Sequence, residues 1–161
     1  MKLSIKEAMK MIARFENDIQ ELLDIERRES FIIYLANEEV TKTDYIFDKA
    51  NSNLDLYQEQ IRQIKNAINK ANLTTKTDYK DLVISEALIL LAQKNNNQIR
   101  LNELASYKQV TRKTSYEGII EYNERLYDIN IVRELLKQNT EDIHKLQTAI
   151  DKANILTEIE I

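Results

Sequence analysis

The sequence predicts an all-α fold: an elongated antiparallel bundle of four long helices with coiled-coil-like heptad packing, and an irregular insertion, a loop or a short β-hairpin, before the last helix. Three observations carry this reading. Proline is absent and there is one glycine, so little breaks a helix. Apolar residues recur three and four apart over long stretches. A short motif, Lys-Thr-(Asp/Ser)-Tyr, occurs at Lys42–Tyr45, Lys76–Tyr79 and Lys113–Tyr116, spaced by 34 and 37 residues. Thr, Asp and Ser oxygens accept hydrogen bonds from the free N–H groups of a helix's first turn, so each motif reads as a helix start.

The first segment carries Ile5, Ala8, Ile12, Phe15, Ile19 and Leu22 on one stripe, then meets the charged patch Glu26-Arg27-Arg28-Glu29 before Ile32, Ile33 and Leu35. It reads as one long helix with a register shift at the patch, or as two helices. The second segment is the most regular. Phe47, Ala50, Leu54, Tyr57, Ile61, Ile64, Ile68 and Ala71 form a heptad seam, which predicts a helix from about Asp44 to Ala71. In the third segment the stripe Ile84, Leu88, Leu91 continues in phase into Asn95, Gln98 and Asn102. Either the apolar face moves to Ile99, Leu101 and Leu104 above a solvated end, or the amides line a wet pocket.

From about Tyr107 to Tyr127 the helical pattern weakens around the single glycine, Gly118, with β-forming residues beside it. The last segment restores the heptads with Val132, Leu136, Asn139, Ile143, Leu146, Ile150 and Ala153. Asn139 is a polar residue on an apolar stripe, a device that fixes register at a cost in stability. Ala67–Asn72 and Ala149–Asn154 echo one another, and each Asn suits a helix stop.

Length and composition fit a single helical-bundle domain over residues 1–161, with 43% hydrophobic and 31% charged residues. The net charge of −4 argues against broad nucleic-acid binding, which needs a concentrated cationic face. With no cysteine, disulfides, thiolate catalysis and Cys-ligated zinc are excluded. The single histidine, His144, lies three residues after Glu141, and a di-iron bundle needs two such pairs. The Ser and Thr residues have no base beside them, and no glycine-rich phosphate loop exists, so no catalytic residue, metal or cofactor is expected. The opening residues lack an apolar signal-peptide core, which points to the cytoplasm of a bacterium or of a phage-infected one.

The segment Ile68-Asn69-Lys70-Ala71-Asn72-Leu73-Thr74-Thr75, the basic stretch Arg112–Ser115, the helix start Tyr127-Asp128-Ile129 and the tail Asn154–Ile159 together resemble a family of small helical bacterial proteins, some of which carry the name septicolysin-like. The chain lacks that family's Asp-Gly turn and its later Arg-Asp pair. The resemblance implies a helical fold, and the name implies a membrane-damaging toxin, although no apolar run here is long enough to span a bilayer.

The residues favour a non-enzymatic, self-associating binding protein. Its partners are itself, as a homodimer or higher oligomer, and a small anionic or nucleotide-like ligand. The ligand would be held by Lys108, Arg112, Lys113, Tyr116 and Tyr122 from the irregular segment and by Asn69, Asn72 and Thr75 from the close of the second helix. Tyrosine rings stack on planar groups and Lys or Arg pair with anions; the same rings would equally seal a loop over the bundle. A structural or adaptor coiled-coil protein is the competing reading.

Overall fold

The computed structural model describes residues 1–161 and corrects the fold class. The protein is 65% helical and 11% strand, with two small antiparallel sheets, so it is a mixed α/β protein and not an all-α four-helix bundle. The order is β1 (Lys2–Ser4), α1 (Ile5–Glu29), α2 (Phe47–Thr74), α3 (Ile84–Ser106), β2 (Val110–Thr114), β3 (Ile120–Glu124), α4 (Ile129–Leu156) and β4 (Glu158–Glu160). The chain divides into two compact units, Met1–Thr75 with Asn154–Ile161, and Lys76–Ala153.

In the first unit, β1 and β4 pair antiparallel with Leu3 opposite Ile159, and the Ile5 N–H donates to the Thr157 carbonyl. Three-residue strands are too short to show a period of two, and each finds its partner over 150 residues away. That is why a local pattern missed them. Ser4 ends β1 and caps α1. Its hydroxyl accepts from the Glu7 N–H, and the Glu7 carboxylate accepts from the Ser4 N–H at 2.9 Å, a reciprocal box that satisfies two groups a helix start leaves free. The contacts Phe15–Tyr57, Tyr45–Glu26 and Thr43–Glu29 fall in reverse order along the chain, so α1 and α2 run antiparallel. Ile5, Ala8, Ile12, Ile64 and Ile159 are buried.

α1 stops at Glu29. The expected continuation through Ile32, Ile33 and Leu35 is not helical; residues 30–46 form an open connection in which Ile33 is 91% exposed and Leu35 71%. The first Lys-Thr-Asp-Tyr motif lies in this connection and closes α1 instead of opening α2. The Thr43 hydroxyl donates to the Glu29 carbonyl at 2.7 Å, and the Tyr45 hydroxyl donates to the Glu26 carboxylate at 2.8 Å. The start of α2 has no side-chain cap.

In the second unit, α3 and α4 run antiparallel. Tyr79, Ala87, Leu146, Ala149 and Ile150 form a buried cluster, with Leu82, Leu90 and Leu91 packed on it. The second motif is a turn and not a helix start. Thr77 is buried, and its hydroxyl donates to the Leu82 carbonyl at 3.0 Å. Lys80 and Asp81 adopt positive φ of 53° and 56°, an uncommon conformation for residues with side chains. The third motif lies in the β2–β3 hairpin, where Lys113 and Thr114 end β2. Small polar side chains that cap helices also close turns, so the motif marks chain reversals of several kinds.

One amide of α3, Gln98, bonds across to α4. Asn139 is 3% exposed, and its Nδ2 donates to the Lys94 carbonyl at 2.9 Å and to Gln98 Oε1 at 2.7 Å. Gln98 Nε2 donates to the Thr140 hydroxyl at 2.8 Å, and Lys94 pairs with Asp142 at 2.6 Å. Of the in-phase stripe, Gln98 joins this hydrogen-bonded layer between the helices, while Asn95 and Asn102 are exposed to solvent. Leu101 is buried, while Ile99 is 68% exposed. No helix is long and apolar enough to cross a membrane.

Candidate binding site at the hairpin root

The segment from Tyr107 to Tyr127, read as a loop with a short extended or hairpin element, contains a β-hairpin with Arg112 opposite Tyr122 and Lys113 opposite Glu121. Its turn is closed by the Gly118 N–H donating to the Ser115 carbonyl and by the Ile119 N–H donating to the Ser115 hydroxyl. Gly118 has φ of 77°, which a residue without a Cβ adopts at no steric cost, and this explains the chain's one glycine.

Arg125 fastens the root. Its Nε donates to the Tyr127 carbonyl, Nη1 to the Tyr107 carbonyl and Nη2 to Gln109 Oε1 at 2.6 Å. Its guanidinium also lies 5.5 Å from the centre of the Tyr127 ring. The Tyr127 hydroxyl donates to the Leu104 carbonyl at 2.6 Å, tying the root to the end of α3. The Tyr107 hydroxyl donates to Glu103, and that bond to a carboxylate raises the Tyr107 pKa above the usual tyrosine range. The same bond fixes the Tyr107 hydroxyl against the last turn of α3.

Beside this clamp lies a concavity of about 440 Å³, whose walls include Tyr107, Lys108, Thr111, Lys113, Asn123 and Tyr127. Alternation places Thr111, Lys113 and Asn123 on one face of the hairpin. Thr111 is the only half-buried residue of either strand. Neither Lys108 nor Lys113 makes an ion pair, and the nearest committed cation, Arg125, spends its donors on the root. Glu124 also borders the concavity, so its walls carry three cations and one carboxylate. This arrangement offers two ammonium groups, a hydroxyl, an amide and two aromatic rings: donors for an anion and faces for a planar body.

Of the residues expected to hold a ligand, the structure brings Lys108 and Lys113 together. Arg112 and Tyr122 sit on the opposite face of the hairpin, and Tyr116 lies fully exposed in its turn. Asn69, Asn72 and Thr75 belong to the other compact unit. Asn69 is exposed on α2, Thr75 follows the last residue of α2, and the Asn72 Oδ1 is buried without a hydrogen-bond partner. Thr111, Asn123 and Arg125 were missed. The alternation that sorts Lys113 from Arg112 has meaning only once the segment is known to be a strand.

A second concavity of about 410 Å³ is walled by Tyr79 and by one face of α4 carrying His144, Lys145, Thr148 and Lys152. Lys152 pairs with Asp78 at 2.5 Å at its edge. No group of three or more His, Cys, Asp or Glu side chains is placed to hold a metal ion.

No protein-family model matches the chain. No curated protein matches it either. Among solved structures, it is similar to a functionally unknown conserved protein from Corynebacterium diphtheriae, with a TM-score of 0.72 at 15% identity, over 99% of this chain and 100% of that one. At that identity the likeness carries the fold alone.

Proposed function

We propose that the protein is a non-enzymatic, self-associating binding protein that holds a small anionic ligand with a planar portion, nucleotide-like in chemistry, at the hairpin root. The observation that supports this reading is the pair Lys108 and Lys113, neither in an ion pair although Glu121 faces Lys113 across the hairpin, beside the Tyr107 and Tyr127 rings on a concavity of about 440 Å³. Ammonium groups gain a charge-assisted hydrogen bond from an anion, and a ring gains stacking area. A volume of this size falls within the ~300–1,000 Å³ range of small-molecule sites. The proposal assigns the protein no reaction.

Native mass spectrometry of the purified protein, before and after denaturation, tests the reading. A mass excess that disappears on denaturation is expected, and the Lys108→Ala/Lys113→Ala protein is expected to lose it while keeping its helical circular dichroism. If no excess is found, and if adenosine monophosphate and inorganic pyrophosphate show no heat of binding at millimolar concentration, the ligand half of the reading fails.

The adaptor reading has one observation in its favour. Phe31, Ile33 and Leu35 in the connection between α1 and α2 are exposed by 63, 91 and 71%. The heptad residue Ile64 is 1% exposed, so changing it tests the core. Charged substitutions at Ile33 and Leu35 are the ones that would remove a protein partner.

A further inference from the structure

The β2–β3 hairpin has no third strand. Nine of its ten strand residues are exposed, and the strands pack extensively only on each other. A hairpin of this kind is marginal alone in water, and its two edges present unpaired N–H and C=O groups. We infer that a second copy of this chain covers the β3 edge, joining two hairpins into a four-stranded antiparallel sheet about a two-fold axis at Tyr122. The inference rests on the self-association half of the proposed function and names its surface.

The register follows from the hydrogen bonds. The Ser115 N–H donates to the Ile119 carbonyl, and the Arg125 N–H donates to the Gln109 carbonyl. Inward-pointing pairs alternate along an antiparallel ladder, so Lys113–Glu121 and Thr111–Asn123 also bond inward. The backbone groups of Ile120, Tyr122 and Glu124 therefore point out of the β3 edge, and those of Val110, Arg112 and Thr114 out of the β2 edge. A two-fold axis at Tyr122 sets Tyr122 against Tyr122 of the second copy and Ile120 against Glu124. Every outward group on β3 is then paired, and no like charges meet. Moving the axis to Glu121 opposes two carboxylates and leaves Glu124 unpaired.

Charge decides between the edges. The corresponding full register on β2 opposes Arg112 to Arg112, and its neighbour opposes Lys113 to Lys113; like charges directly across a ladder are destabilising. Pairing β2 to β3 of another copy is heterologous and leaves an open edge at each end, whereas the β3 pairing closes. The outer side chains agree. Ile120 and Tyr122 are 45 and 65% exposed on the face opposite Thr111 and Lys113, and the dimer brings both copies' rings together at its centre.

Proline supplies a selective test. At Tyr122 it removes an outward N–H and leaves every hairpin bond in place, which is the setting in which edge strands tolerate proline. Sedimentation velocity is run across the micromolar range on the wild type, Tyr122→Pro and Arg112→Pro. The wild type and Arg112→Pro are expected to dimerise, and Tyr122→Pro to weaken the dimer at least tenfold with unchanged helical circular dichroism. The chain has no cysteine, so Tyr122→Cys is a second test independent of proline. Facing residues of a bonded pair lie ~5.5 Å apart, within disulfide reach, so mild oxidation should yield a covalent dimer. A monomeric wild type overturns both the inference and self-association. A dimer that survives Tyr122→Pro, or that fails equally in Arg112→Pro, or that does not cross-link, overturns the β3 edge and leaves self-association through another surface.

Discussion

Asn139 shows how a single polar residue is accommodated in an apolar seam. Its amide N–H groups reach two acceptors on α3, while its Oδ1 is buried with no partner. Leaving a buried polar group unpaired costs ~1–3 kcal/mol, whereas replacing both partners by apolar groups can be neutral or stabilising. Asn139→Leu alone strands the Gln98 carbonyl, is partly offset by removing the unpaired Oδ1, and is expected to lower stability by up to about 1–3 kcal/mol in urea unfolding. Asn139→Leu with Gln98→Leu is expected to recover most of that loss. A double variant as unstable as the single one would show that the loss comes from packing. The sequence showed that Asn139 interrupts an apolar stripe; its partners Lys94 and Gln98 lie over 40 residues away and needed the fold.

Among the elements, α1 has the best-defined boundaries. Ser4 and Glu7 close its start, Arg27 and Arg28 lie in its last turn where the helix dipole favours cations, and Thr43 satisfies the Glu29 carbonyl. Ser4→Ala is expected to cost about 0.5–2 kcal/mol of unfolding free energy in urea titration, and Ser4→Asp, which keeps a cap acceptor, much less. Equal losses would place the effect in β1, which Ser4 also ends. The same element shows where pattern reading overreached. Ile32, Ile33 and Leu35 continue an apolar sequence but not a helix, because no partner covers a stripe there and Ser30 ends the helix. The hairpin posed the opposite problem: its apolar and charged residues alternate weakly, and only pairing with register sorts Lys113 from Arg112.

Across the whole molecule, each compact unit contains a carboxylate held below its ordinary pKa. Glu7 is lowered from 4.5, first by its bond from the Ser4 backbone and then by the Ser4 side chain. Asp142 is lowered from 3.8, first by its hydrogen bond from Lys94. A depressed carboxylate stabilises the folded state fully above its unfolded pKa and loses that contribution as pH falls through the folded value. The contribution of these two carboxylates should therefore be level above the carboxylate range, then fall, the Glu7 share beginning near 4.5 and the Asp142 share near 3.8. Urea midpoints measured down through that window should fall less steeply for Glu7→Gln and Asp142→Asn than for the wild type. Parallel curves would remove both carboxylates from the account.

The sequence by itself determined the helical segments that carry heptads, the absence of thiol chemistry, and the stretch around Gly118 as the break in the pattern. These are local properties: periodicity and composition act over a few turns of chain. The tertiary structure decided what requires distant partners. It made strands of Lys2–Ser4 and Glu158–Glu160, turned three similar motifs into a helix closure, a tight turn and part of a hairpin, and separated Lys108 and Lys113 from Arg112 and Tyr122. A strand exists only through its neighbour, and a site only through the groups that the fold brings to one face.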